Sequence, residues 1–157
     1  MVSLDANNAK RGLDGGAGIS PGKWASTYRE ALSRVGELLA AGCSVVVDDT
    51  NCFRFLRDDY RQLAQRHGVA TTVVHVKIGL EVALQRVRQN TRSRLRPGVR
   101  EAVLLELAEK FEEPDAGEAA LTYSPDEAPE AWARRLLPPP RAVRPAPEGS
   151  RLQEVQP

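Results

Sequence analysis

Apolar residues along the chain fall into two patterns, short β-branched runs and longer stretches at helical spacing. The clearest run is Val45, Val46 and Val47, which ends at once in two carboxylates, Asp48 and Asp49. A run this short and apolar predicts a strand buried on both faces, as in a parallel sheet covered by helices. We therefore expect a central sheet, with these two carboxylates at the carboxyl end of one of its strands.

The remaining elements follow from the same two patterns. A second β-branched run predicts a strand over 70–78, and shorter apolar pieces predict strands at 2–5 and 119–123. Residues 7–18 are polar and rich in glycine, which predicts a flexible loop. Apolar residues recur at helical spacing in the predicted helices 20–41, 54–66, 81–89, 99–111 and 126–137. Strands and helices thus alternate, which predicts an α/β fold with a parallel sheet and helices on both faces.

Length and composition indicate one globular domain followed by a tail. The 157 residues are 41% hydrophobic and 27% charged, values that are typical of a folded protein with a real core. Periodicity ends near residue 137, so we expect the domain to span 1–137 and the proline-rich stretch 138–157 to be disordered. A net charge of +1 argues against a chain that binds nucleic acid through its overall charge.

The two cysteines and the hydropathy pattern predict a cytoplasmic protein. Cys43 and Cys52 have no spacing typical of a metal site or a disulfide framework, so we expect reduced thiols. The first residues do not have the pattern of a signal peptide. No apolar stretch approaches the roughly 18 residues that cross a membrane, so no membrane partner is expected.

Two clusters of charge are candidates for chemistry. An apolar strand that ends in Asp48 and Asp49 has the form of a Walker B strand, whose acid acts on Mg²⁺ beside a nucleotide phosphate. A turn-forming role is the alternative for these acids. Between Glu81 and Glu101 the only charged residues are arginines, namely Arg86, Arg88, Arg92, Arg94, Arg96 and Arg100. They are either a solvated basic helix end or phosphate ligands, and we favour phosphate because guanidinium groups match its geometry.

A phosphate-binding loop is the expected companion of such a strand, but the sequence does not contain the motif. Gly22 and Lys23 resemble the end of G-x-x-x-x-G-K-[ST]. The motif also needs glycine at position 17 and serine or threonine at position 24, where the chain has Ala17 and Trp24. We therefore reject this segment as a P-loop.

The order of features resembles the P-loop kinases of the polynucleotide kinase, zeta-toxin and seryl-tRNA kinase type, a family with an AAA-like ATP-binding domain. Residues 39–51 are similar to the family's a-G-x-s-V-V-h-D-x-T-N stretch, and 2–5 look like its second strand and acid. Residues 74–86 and 97–114 are similar to the fourth strand and to the helices that open and close its lid. The resemblance covers roughly 1–137 and is most specific over 43–57.

The resemblance implies a three-layer P-loop NTPase-like sheet with the first strand and the P-loop absent from this chain. It also implies ATP and Mg²⁺ as cofactors. Asp5 would deprotonate or orient an acceptor hydroxyl, and Asp48 would act on Mg²⁺ or its water shell; Asp49 is the alternative, since polynucleotide kinase has its acid at that position. Arg86 would stabilise the transferring phosphoryl group, with Arg88, Arg92 and Arg94 as further lid residues. Arg57 would contact the acceptor.

By the same resemblance, the reaction is transfer of the γ-phosphoryl group of ATP to a hydroxyl. The acceptor would be a small molecule, an RNA or DNA end, or an aminoacyl-tRNA. Asn90 replaces the second lid arginine that is common in the family, and Asn8 replaces the substrate-phosphate arginine of polynucleotide kinase. The alternatives are a non-catalytic domain that binds a partner or phosphorylated ligand through its arginines, and a nucleic-acid-binding module.

Overall fold

The computed structural model describes residues 1–13, 19–93 and 99–136, and this part of the chain contains four short strands and six α-helices. In chain order they are β1 (Val2–Ser3), α1 (Leu4–Lys10), α2 (Pro21–Ala40), β2 (Val47–Asp48), α3 (Arg54–Arg66), β3 (Val74–Val76), α4 (Leu80–Ser93), α5 (Glu101–Lys110), β4 (Leu121–Tyr123) and α6 (Pro129–Leu136). A single 3-10 turn, Ala116–Glu118, precedes β4. The mixed α/β class is therefore confirmed, whereas the predicted domain end at 137 and the tail 138–157 lie outside the described residues.

Helices with clear local signals are where the sequence predicts them. α2 begins after Ser20, whose Oγ accepts a hydrogen bond from the backbone N–H of Lys23 at 3.4 Å, and Pro21 takes the first helical position. The helix ends before Gly42, whose positive φ of 76° favours glycine. α3 has the predicted bounds, and Leu56 on its apolar face is 1% exposed. These two helices form most of the core.

The amino-terminal region differs from its prediction as a strand followed by a loop. The strand ends at Ser3, whose Oγ caps α1 by accepting from the N–H of Ala6, so Asp5 lies in the first turn of a helix. α1 then occupies part of the predicted loop 7–18. Asn8 of this helix is buried, and its Oδ1 accepts a hydrogen bond from Oγ1 of Thr27 on α2 at 2.9 Å, which satisfies the buried amide oxygen. A tertiary partner thus stabilises a helix that is too short to show an apolar period in the sequence.

The strands form two parallel pairs. β1 pairs with β2, with Val2 opposite Val47 and Ser3 opposite Asp48. β3 pairs with β4, and among the described residues β2 and β3 are not hydrogen-bonded to each other. The parallel direction is confirmed, and the three-layer sheet stays a prediction. The prediction that the 45–47 run is buried on both faces is wrong, because Val46 is 65% exposed and its neighbours are half-buried.

The main core lies between α2, α3 and the first strand pair. Its buried apolar residues are Val2, Leu4, Tyr28, Ala31, Val35, Leu39, Leu56 and Ala64. Around the second pair, Trp132 of α6 is buried and its indole N–H donates to the carbonyl of Thr122 at 3.1 Å. α4 and α5 pack against each other, and α5 buries none of its residues. Among the described helices, none combines the length and the apolar character of a membrane span.

Candidate functional site

Three carboxylates from separate positions in the sequence meet at the carboxyl ends of β1 and β2. Asp48 ends β2 opposite Ser3, Asp49 follows it, and Asp5 lies just after β1 in the first turn of α1. The three side chains are close enough to interact, because the negative charges of Asp5 and Asp48 both raise the pKa of Asp49. We call Asp5, Asp48 and Asp49 the carboxylate cluster, which the register of the parallel strands brings to one edge.

Asp49 is the half-buried acid of the cluster. Burial raises its pKa most, and the negative charges of Asp5 and Asp48 add to that effect. Hydrogen bonds from the backbone N–H groups of Thr50 and Asn51 oppose the rise, and the resulting pKa is about 6. Asp5 and Asp48 are exposed, whereas Asp49 is half-buried. A cation beside the cluster would relieve this repulsion.

The carboxylate cluster could supply one or two of the ligands of a Mg²⁺ ion, and water would supply the others. No group of three or more His, Cys, Asp or Glu residues is placed to hold a metal in residues 1–13, 19–93 and 99–136. Mg²⁺ is usually bound by one or two carboxylates and keeps several waters. Asp48 and Asp49 match that requirement, Asp48 as the accessible oxygen donor and Asp49 as the half-buried one.

The turn after the cluster is held in an unusual conformation. Asn51 has a positive φ of 43°, which asparagine tolerates better than most residues. Its side-chain amide donates to the carbonyl of Asp49 at 3.4 Å, and its own carbonyl accepts from Nη1 of Arg57 at 2.8 Å. Arg57 on α3 therefore fixes the backbone that follows the carboxylates.

Arg57, predicted to contact the acceptor, is already engaged inside the protein. Its Nε and Nη2 donate to the two carboxylate oxygens of Glu118 at 2.7 and 2.8 Å, and its third nitrogen binds Asn51. The side chains of Arg57 and Glu118 are 5% and 0% exposed. The acceptor role stays a prediction, and the structure gives Arg57 a positioning role in addition.

Arg57 belongs to a row of arginines on α3 that hold the segment 112–118. Arg54 forms an ion pair with Asp115, and its backbone N–H donates to the carboxylate of Glu112 at 2.6 Å. Arg61 donates to the carbonyl of Gly117 at 3.3 Å. We call Arg54, Arg57 and Arg61, together with segment 112–118, the arginine clamp; it holds α3 against the segment that precedes β4.

Three of the predicted lid arginines, Arg86, Arg88 and Arg92, lie on α4, and none of them forms a hydrogen bond with the carboxylate cluster among the described residues. Arg88 pairs with both carboxylate oxygens of Glu101 on α5, at 3.0 and 2.8 Å, and this contact raises its pKa. Arg86 and Arg92 are exposed, and neither forms an ion pair with another described residue. Arg94 lies outside the described residues. The lid role of these four arginines stays a prediction.

Two tyrosines, Tyr28 and Tyr60, lie near enough to Asp49 to feel its charge, a position that the sequence pattern does not indicate. Tyr28 donates to Oδ2 of Asp59 at 3.0 Å, and Tyr60 packs edge-on against its ring at a centroid distance of 5.7 Å. Burial raises the pKa of Tyr60, and the charge of Asp49 raises it further. Both residues are on apolar helix faces in the sequence pattern, so helical periodicity indicates only core packing for them.

The raised pKa of Asp49 predicts that its replacement by asparagine stabilises the protein at neutral pH. The carboxyl ionises near 3.8 in the unfolded chain and near 6 in the fold. Stability is therefore lost as pH rises between these values, because only the unfolded state releases its proton easily there. We expect Asp49→Asn to add about 1–2 kcal/mol near pH 7 and almost nothing near pH 4.

Urea unfolding of both proteins at the two pH values measures this difference. Asp126→Asn serves as the control, because Asp126 is an exposed acid in the segment after β4 and is not part of the carboxylate cluster. A variant that is less stable than the parent protein near pH 7 would contradict the electrostatic account.

Comparison with known proteins gives one match. A family model described as an AAA domain matches residues 1–114, which include the carboxylate cluster, the two tyrosines, α4 and α5. No curated protein matches the chain. No solved structure matches it either.

Proposed function

This chain belongs to the AAA domain family, and from that premise we propose an ATP-dependent kinase that transfers the γ-phosphoryl group to a hydroxyl. Domains of this family typically bind nucleotide, which supports the coarse assignment. The observation that carries the finer proposal is the carboxylate cluster, in which Asp5, Asp48 and Asp49 lie together at the carboxyl ends of parallel strands. Ligands of open α/β folds bind at such strand ends.

Within this proposal the three acids have separate roles. Asp5 is exposed in the first turn of α1, where it accepts or orients the proton of the acceptor hydroxyl. Asp48 is the preferred ligand of Mg²⁺ or of its water shell, and Asp49 is its half-buried neighbour. When bound, Mg²⁺ neutralises charge on the phosphate oxygens of ATP. A site of this kind works mainly by positioning and electrostatics, so the carboxylates need fixed places rather than unusual reactivity.

The arginines of α4 supply positive charge in the same proposal. Arg86 and Arg92 have exposed guanidinium groups, which suits contact with phosphate oxygens. Arg88 is held by Glu101, so its pairing stiffens the α4–α5 hairpin. Because α5 buries none of its residues, this hairpin is a suitable lid. We propose a hydroxyl-bearing small molecule, nucleic-acid end or aminoacyl-tRNA as acceptor, and the cytoplasm, where free Cys43 and Cys52 stay reduced, as location.

A second function, a non-catalytic domain that binds a partner or a phosphorylated ligand, is favoured by one observation. The 157 residues contain no G-x-x-x-x-G-K-[ST] motif, so no lysine in this sequence has the place of the P-loop lysine. Exposed Arg86 and Arg92 would then bind phosphate without transfer.

We expect the 157-residue chain to bind Mg-ATP weakly, with a dissociation constant above about 1 mM. The backbone N–H groups of a P-loop normally cradle the phosphates, and the sequence has no such segment. Isothermal titration calorimetry with Mg-ATP measures the affinity, and Mg-ATP without protein gives the baseline. Micromolar binding would show that the phosphates have another cradle in this chain.

Transfer itself is tested in a fusion that supplies the cradle. We define the P-loop fusion as this chain joined after a strand–P-loop–helix unit, which is about 30 residues long. The proposal predicts ATP hydrolysis or labelling of a hydroxyl acceptor that depends on Mg²⁺. A fusion that binds Mg-ATP but neither hydrolyses it nor labels polyols, 5′-hydroxyl oligonucleotides or aminoacyl-tRNA would favour the non-catalytic function.

A further inference from the structure

Phe55 is an aromatic side chain that the fold leaves in water. The chain has two tryptophans, three tyrosines and three phenylalanines, all of them among the described residues, and of these Phe55 alone is exposed, at 56%. Aromatic rings carry a large apolar surface, which folded proteins mostly place in the core or at an interface. An exposed apolar residue is common on its own, and its neighbours decide whether it is a binding surface.

The ring of Phe55 is held by a second ring. Phe53 stacks on it with a centroid distance of 5.7 Å and an interplanar angle of 14°, the parallel arrangement that offset aromatic pairs favour. Phe53 itself is half-buried and packs against the main core. The pair therefore extends from the core to solvent, with Phe53 as its inner ring and Phe55 as its outer, accessible ring.

The backbone on both sides of Phe55 is fixed. On one side the N–H of Arg54 donates to the carboxylate of Glu112 at 2.6 Å, and on the other side Leu56 is 1% exposed in the core. Phe55 is the second residue of α3, so its ring extends from the first turn of a helix. The exposure of the ring is thus a property of the folded backbone, and a ligand would meet the ring already in place.

The side chains near the ring favour a flat ligand with a polar edge. Asp58 and Asp59 are three and four residues further along α3, on the same side of the helix as Phe55. Asp58 accepts from two arginines of α3, and Asp59 accepts from the hydroxyl of Tyr28. These carboxylates would repel a phosphate group, and they interrupt an apolar patch of the size that a protein partner covers. A nucleobase matches both features, because its face stacks on aromatic rings and its amino groups donate to carboxylates.

The ring belongs to the same segment as the carboxylate cluster. Phe55 follows Asp49 by six residues, which an extended chain spans in at most about 22 Å. The turn between them is fixed, because the carbonyl of Asn51 accepts from Arg57 at 2.8 Å. A base on Phe55 and a hydroxyl at the cluster can therefore belong to one acceptor molecule, such as a short strand end.

We propose that Phe55, supported by Phe53, is a stacking platform for a nucleobase of the acceptor. The inference rests on the proposed function, because it narrows the acceptor of that reaction to a nucleoside or a nucleic-acid end. A base held by stacking needs no large positive charge on the protein, which agrees with the net charge of +1.

The test is a titration of the full chain, followed through the resonances of its ring-labelled phenylalanines. The chain has three of them, Phe53, Phe55 and Phe111, so single variants assign the spectrum. The probes are adenosine, cytidine and a 5′-hydroxyl trinucleotide, with ribose as a probe without a base and arginine amide as a planar cation. Phe55→Leu removes the ring and Phe55→Trp keeps an aromatic face. Phe111→Leu, the control, removes a half-buried ring that contacts His75.

We expect the probes that contain a base to shift the Phe55 resonances in a saturable way, and ribose to leave them unchanged. Phe55→Leu should weaken the tightest of these probes at least about fivefold, the lower end for the loss of one base stacked on an aromatic ring. Phe55→Trp should keep or raise the affinity, and Phe111→Leu should leave it unchanged. The melting temperature of Phe55→Leu should stay close to that of the parent chain, because the ring is exposed.

Four results would overturn the assignment. The first two are the absence of any saturable shift of Phe55 up to about 10 mM probe, and equal affinities in the parent chain and Phe55→Leu. The third is tighter binding of arginine amide than of every probe with a base, which would make the ring a site for a cationic side chain of a partner protein. The fourth is a shift of Phe55 with protein concentration alone, which would assign the ring to an interface between two copies of this chain.

The outcome is separable from that of the kinase proposal. Base binding that depends on Phe55 in a chain whose P-loop fusion transfers no phosphate would uphold the platform and reject the kinase. Transfer by the P-loop fusion with an acceptor Michaelis constant that is unchanged in its Phe55→Leu variant would do the reverse.

Discussion

Replacing Glu118 with alanine should lower the free energy of unfolding by about 3–5 kcal/mol, because it leaves the guanidinium group of Arg57 buried without its counter-charge. The pair is bidentate at 2.7 and 2.8 Å, and neither side chain is more than 5% exposed. Glu118 also accepts from the N–H of Asp115 in the capping box of the 3-10 turn, so the substitution removes a second contact. Chemical denaturation of the parent chain and variant measures the loss.

An exposed pair with the same geometry is the control. Arg88 and Glu101 also form two parallel hydrogen bonds, but their side chains are 55% and 43% exposed. Water replaces such contacts at little cost, so Glu101→Ala should have a much smaller effect. If the two substitutions lowered the free energy of unfolding equally, burial of the Arg57–Glu118 pair would not be the cause of the large loss.

A double variant separates the cost of an unpaired charge from the value of the pair. Arg57→Met combined with Glu118→Leu leaves no buried charge and similar volume, so it should recover most of the stability lost in Glu118→Ala. Since the hydrogen bonds from Arg57 lower the pKa of Glu118, the pair's contribution is present at neutral pH and is lost as acid protonates this carboxylate.

In the P-loop fusion, replacing Asp48 with asparagine should reduce Mg²⁺-dependent ATP hydrolysis about 10- to 100-fold. Asp48 is exposed at the end of β2, so the substitution removes a charge without disturbing the core. The Mg²⁺ concentration for half-maximal activity should rise in parallel, since the affected step is metal binding. Steady-state rates over a Mg²⁺ titration give both quantities.

Two further substitutions define the specificity of that effect. Glu109→Gln removes an exposed carboxylate of α5 and should leave the rate unchanged. Asp49→Asn tests the alternative metal ligand. Full activity in Asp48→Asn together with a large loss in Asp49→Asn would move the metal role to Asp49, while full activity in both variants would remove the cluster from the reaction.

Local signals account for the parts of the fold that the sequence predicts well. α2 has a capping serine, and both α2 and α3 have helical periodicity and a glycine just after their last turn, so their bounds need no distant partner. α1 also has a capping serine, Ser3, and a terminal glycine, Gly12, but its seven residues are too few for a clear apolar period, and its buried Asn8 bonds to Thr27, 19 residues away. Periodicity over a window this short could not distinguish that helix from a polar loop.

Strand burial and side-chain pairing depend on positions distant in the chain. The valine run 45–47 correctly indicates a strand, but the ladder that forms is two residues long and leaves Val46 exposed. The place of Asp48 and Asp49 at a strand end could be predicted from the apolar run before them, whereas the approach of Asp5 depends on the pairing of β1 with β2. Arg57 and Glu118 are 61 residues apart in the sequence, and no pattern in the sequence indicates that they pair. The positioning role of Arg57 is therefore known only from the structure.

The arginine clamp also sets an order of events during folding. Its pairs join positions that are separated by 56 to 61 residues, whereas the main core is built from α2, α3 and the first strand pair. Closing so long a loop costs chain entropy before its contacts are gained, so we expect the clamp to form after α3 and the main core. Because Arg57 also holds the turn at Asn51, we expect that turn to reach its final geometry only when Glu118 is present to hold Arg57.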